Sequence, residues 1–119
     1  MFKFLKKIFS FFTINPEIKT VIELISARRL AIKIAKERPT KVREMIKYFD
    51  LLLDLNGIGL QKFYLMTVQG IIKEIDGDPL LRSDLEIILT LIRVKGEVDI
   101  LKFHNFLKGF REGLTYGTR

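Results

Sequence analysis

The sequence predicts an all-α fold, a compact bundle of five or six helices with a short amphipathic helix at its N-terminus. Three observations predict it. Apolar residues recur three and four apart through most of the chain. Proline, glycine and Asn/Asp fall where one such pattern stops and the next begins. The 119 residues include no cysteine, so neither disulfides nor thiolate metal sites shape the fold. One domain is expected over residues 16–114, between the amphipathic helix at 1–12 and a loose tail at 115–119.

The first helix, Met1–Phe12, divides its faces cleanly. Lys3, Lys6, Lys7 and Ser10 share one arc, and Phe2, Phe4, Leu5, Ile8, Phe9, Phe11 and Phe12 fill the rest. Asn15 can cap a second helix that Pro16 opens, because proline's missing N–H costs nothing in the first turn. That helix runs to about Arg38, with Ile18, Val21, Ile22, Ile25, Ile32 and Ala35 as its apolar side, and Pro39 stops it. A third carries Val42, Met45, Ile46, Phe49, Leu52 and Leu53 and ends at Asn56-Gly57.

The fourth helix spans about Leu60 to Ile75. Gly70 inside it is expected to mark a close helix crossing or a mild kink. Asp76-Gly77-Asp78-Pro79 then makes a turn. Ser83-Asp84-Leu85-Glu86 reads as a capping box opening a helix through Val94, apolar on two faces and therefore central. The β-branched run Ile87–Val94 also fits a strand. Lys95-Gly96 could then turn a hairpin into Glu97–Phe103, which would resemble the wing of a winged helix. The last helix, Val98 to about Gly113, carries Ile100, Phe103, Leu107, Phe110 and Leu114 along one seam. The expected core draws on Ile46, Phe49, Leu53, Tyr64, Ile71, Leu85, Ile88, Leu89, Ile92, Leu101, Phe103 and Phe110.

No motif specifies a reaction. His104 is the only histidine, so it cannot form a His-rich metal site. Asp76, Asp78, Asp84 and Glu86 cluster near one turn, but capping and the positive helix N-terminus account for them. Leu91–Phe106 resembles an EF-hand in its Gly96, Val98, Asp99 order. Leu91, Arg93, Lys95 and Lys102 stand where oxygen ligands are required, so no calcium is expected. No glycine pattern that cradles phosphate is present. No catalytic, cofactor or metal residues are assigned, no small-molecule substrate is expected, and an enzyme is the least favoured class.

Charge is the strongest functional signal. The net charge is +7, and it is unevenly placed. Residues 1–47 hold 12 Lys/Arg against 4 Asp/Glu, and residues 48–119 hold 9 against 10. Arg28, Arg29, Lys33 and Lys36, followed by Lys41 and Arg43, form a basic field suited to phosphate or an acidic partner. Tyr48 is the only aromatic within that field. Five Phe in the first twelve residues are too much apolar surface to leave in water, so core, partner or membrane must cover them.

No stretch reaches the roughly 20 apolar residues of a membrane-spanning helix. Lys6, Lys7 and Ser10 interrupt the start too early for a signal peptide. A cytoplasmic or virion-associated location is expected. The leading expectation is a non-catalytic binding or assembly protein, a small structural or accessory subunit of a larger complex, with a viral complex as the type considered. It would use the apolar face of residues 2–12 and the basic face, with a protein partner or a second copy of itself. The alternatives are a nucleic-acid-binding protein using the basic second helix on phosphates, and a peripheral protein of the membrane surface.

Overall fold

The computed structural model describes residues 22–55 and 57–118, the side chains of Gly57 and Ile58 excepted. The expected helix at Met1–Phe12, its seven interface residues and the start at Pro16 lie outside the described residues. Within them the fold is an all-α bundle of six helices: α1 (Ile22–Glu37), α2 (Val42–Leu53), α3 (Gly57–Lys62), α4 (Tyr64–Glu74), α5 (Pro79–Leu91) and α6 (Ile100–Gly117). A 3-10 turn at Pro39–Lys41 joins α1 to α2, and a small antiparallel hairpin separates α5 from α6.

Helix α6 is the centre. It packs along α1, and α2 and α3 meet its other sides, while α5 closes on α1. Phe103, Phe106 and Phe110 run down its buried side. Phe110 stacks on Phe49 of α2 with centroids 4.8 Å apart, and Phe103 takes the edge of Tyr64 at 5.3 Å. Offset and edge-on pairs of this kind add to the simple burial of the rings. Helices α1 and α6 run parallel, since Gly109 lies on Leu24, Gly113 on Arg28 and Gly117 on Ile32. A Cβ on Gly109 would fall 2.8 Å from the Leu24 carbonyl carbon, and one on Gly117 2.7 Å from the Ala35 methyl. The three glycines let two backbones touch, and Ala27, Ala31 and Ala35 supply the matching small surface.

That seam corrects the expected face of α1. Ala27, Leu30, Ala31, Ile34 and Ala35 are buried, while Ile22, Ile25 and Ile32 are only half-buried. It also carries α6 through Thr115 and Tyr116 to Gly117, where a tail was expected, because Gly117 is held against α1. The close crossing expected at Gly70 is found at these glycines instead. Gly70 faces open space.

Three boundaries differ from expectation. Helix α5 starts one turn before the expected capping box. Pro79 takes the first helical position, and the Asp78 carboxylate accepts the Leu81 N–H at 3.1 Å, leaving Ser83 exposed in the second turn. The expected fourth helix is divided at Phe63, whose N–H bonds back to Leu60, three residues earlier. The tightened turn directs both buried Leu60 and half-buried Phe63 to the core. Helix α5 ends at Leu91, and Arg93–Val94 then pairs with Glu97–Val98, so the helix and the hairpin reading of this stretch each describe part of it. Lys95 and Gly96 have φ of 53° and 81°, the doubly left-handed turn that matches strand twist. Asp99 restarts the helix by accepting the Lys102 N–H at 3.0 Å.

Of the expected core, Phe49, Ile71, Leu85, Ile88, Ile92, Phe103 and Phe110 are buried, and Ile46, Leu53, Tyr64 and Leu89 pack against them. Leu101 is not core. It is 62 % exposed, because helical spacing from the Asp99 cap turns it away from Phe103.

Candidate functional site

Two surfaces carry functional potential, the outer face of α1 and a groove between α2 and α4. On α1 the buried residues occupy one side, and Arg29, Lys33 and Lys36 form an exposed row on the opposite side. The row borders α5. Lys33 Nζ lies 3.0 Å from Asp84 Oδ2, and Ser26, Arg29 and Ile87 line a shallow hollow around that pair. An ion pair this exposed contributes about 0–1 kcal/mol. Arg29 and Lys36 pair with no carboxylate among the described residues, whereas Arg38, Arg82 and Arg111 pair with Glu37, Glu86 and Asp50.

The remaining basic residues do not join that row. Arg28 is half-buried where α1 meets α6, with its guanidinium carbon 5.3 Å from the centre of the Tyr116 ring. Its Nε is buried without an acceptor among the described residues, and the ring contact is the interaction that holds the group there. Lys41 stands at one end of the α2/α4 groove. Arg43 and Lys47 flank a separate hollow beside Pro39 and Thr118. The expected basic field is therefore four places, because Arg28 turns to α6 while α2 turns back along α6 and carries Lys41 and Arg43 away from the α1 row. Tyr116 is the residue that sequence spacing missed. It lies far along the chain in what reads as a tail, and only the parallel packing of α1 on α6 brings it to Arg28.

The groove between α2 and α4 has a volume of about 250 Å³ and is lined by Met45, Tyr48, Met66, Gly70 and Ile71, with Phe49 at its base. Tyr48 Oη and Thr67 Oγ1 bridge the two helices at 3.2 Å, and Thr67 donates to the Phe63 carbonyl at 2.7 Å. Glu44 and Glu74 stand on opposite walls. Met66 is 57 % exposed, and Leu51, next on the helical row of Glu44 and Tyr48, is 68 % exposed.

Of the acidic residues near the α4–α5 turn, Asp76 is exposed and the other three are occupied structurally. Asp84 and Glu86 make ion pairs and Asp78 caps α5. The Leu81 N–H, the largest influence, holds the Asp78 carboxyl below its ordinary value of 3.8, with Arg38 nearby acting in the same direction. Buried Glu23 accepts from Asn105 Nδ2 at 3.0 Å, and its Oε2 has no hydrogen-bond partner among the described residues. His104 is half-buried on α6. Among the described residues no group of three or more His, Cys, Asp or Glu is placed to hold a metal ion, and no helix is long and apolar enough to cross a membrane. Compared with known proteins, the chain matches no family model, no curated protein and no solved structure.

Proposed function

We propose that this chain is a non-catalytic assembly protein, an accessory subunit whose α2/α4 groove receives an amphipathic helix, and that the helix is residues 2–12 of a second copy. The observation that carries this reading is the groove itself: an open, methionine-lined channel on two helices that meet side by side without closing. Methionine suits such a surface because its flexible, polarisable side chain adapts to an incoming apolar face. Glu44 and Glu74 on the walls outweigh Lys41 at the end and favour a helix with lysines flanking its apolar stripe. The sequence at 2–12 has that composition, with five Phe against Lys3, Lys6 and Lys7.

Light scattering of the full chain tests this. The unaltered protein is expected to be an oligomer. Met66→Glu in the groove and Phe9→Glu in the segment are each expected to shift it to a folded monomer. An unaltered chain that is monomeric at hundreds of micromolar overturns the reading. So does an oligomer that neither variant weakens.

A further inference from the structure

We infer that the outer face of α1, together with Tyr116 of α6, binds single-stranded nucleic acid, with Arg29, Lys33 and Lys36 on phosphates and the Tyr116 ring stacking on a base. The inference is independent of the groove, which lies on other helices.

Four observations carry it. The basic row faces solvent and sits directly opposite the buried side of α1, so binding needs no rearrangement of the core. Arg29 and Lys36 are without a carboxylate partner among the described residues, so their charges stay open to an anion, while Lys33 is shared with Asp84. Tyr116 of α6 is 53 % exposed beside α1, and Arg28 of α1 lies over its ring. Gly117 rests on Ile32 and Ala35, so Tyr116 before it lies along the stretch of α1 that carries the row, with its ring against Arg28, the neighbour of Arg29.

Basic side chains that track a backbone, beside an aromatic ring on which a base can lie, are the two components of single-strand recognition. A duplex hides its base faces and offers Tyr116 nothing to stack on. An acidic peptide would use the lysines and leave the ring idle. Two acidic groups border the surface, Asp84 on Lys33 and Glu112 one turn before Tyr116. They limit the affinity to a modest, salt-sensitive range without removing the basic row.

The test is fluorescence anisotropy of a labelled twelve-nucleotide thymidine strand titrated with the full chain over a salt series. Changing Arg29, Lys33 and Lys36 together to Glu is expected to abolish binding at low salt. Changing them to Gln is expected to lower the slope of log affinity against log salt by about 2, as three lost phosphate contacts require. Tyr116→Ala is expected to weaken binding about tenfold while leaving the salt slope unchanged, because a stacked base releases no counterion. Lys73→Glu, exposed on α4, serves as the folded control and is expected to bind like the unaltered chain.

Undiminished binding by the triple Glu variant overturns the inference. Equal affinity for duplex, for polyglutamate or for anionic vesicles, with no effect of Tyr116→Ala, also overturns it and assigns the face to polyanions in general.

Discussion

Two helix seams in this molecule each contain glycine, and they do opposite things. Along α1/α6, Gly109, Gly113 and Gly117 sit where any Cβ would run into the neighbouring helix. Along α2/α4, Gly70 sits where a Cβ would meet nothing within 4 Å. The first seam is closed at backbone contact, and the second stands open as a groove. The same residue type at a helix interior therefore marks tight packing in one place and vacant space in the other. What differs is the surface across from it: a small-residue helix with Ala27, Ala31 and Ala35 in one case, and Met45 and Tyr48 held off by their own length in the other.

Three experiments would break or sharpen that contrast. The largest effect is expected at Gly113. Alanine there would meet the Ala31 methyl at 2.8 Å and the backbone of Arg28. Forcing the helices apart should cost about 2 kcal/mol, even after the gain in helix propensity. Thermal unfolding should show a midpoint lower by roughly 5–10 °C. A variant as stable as the original would mean the seam has slack.

The open seam should respond with the opposite sign. Gly70→Ala removes backbone freedom from the unfolded chain and adds a methyl to empty space, so it should raise stability by about 0.5–1 kcal/mol in denaturant titrations. A loss of stability instead would show that the groove closes in solution.

The smallest effect concerns the closed half, where Asp78 caps α5 beside the end of α1. Because its carboxyl is held below 3.8, its contribution is complete above the ordinary carboxylate range and is lost as pH falls through the lowered value. The stability difference between the unaltered chain and Asp78→Ala should be constant near neutrality and shrink under acid. A difference that persists unchanged at low pH would show that the cap does not act through the ionised carboxylate.

Much of the bundle is legible in the residues. The apolar spacing of Phe103, Leu107, Phe110 and Leu114 marks the buried side of α6 without any knowledge of its neighbours. Pro39, Asp78-Pro79 and Gly96 mark chain breaks through their own backbone restrictions. The candidate sites are less legible. Arg29, Lys33 and Lys36 share a face by helical geometry alone, so their row follows from spacing. Tyr116 and the groove depend on which helices become neighbours, and nothing local to Tyr48, Met66 or Tyr116 states that.

The sequence by itself determined the helical class, the main breaks between helices and the placement of positive charge in the first 47 residues. Each of these rests on short-range properties: side-chain periodicity, capping chemistry and formal charge. Only the tertiary structure decided which side of α1 is buried, that α6 continues to Gly117, that Leu101 faces water and that the basic residues separate into four places. Those outcomes depend on how closely two backbones approach. That distance is set jointly by side chains far apart in the chain, and Gly70 and Gly113 look alike until their neighbours are in position.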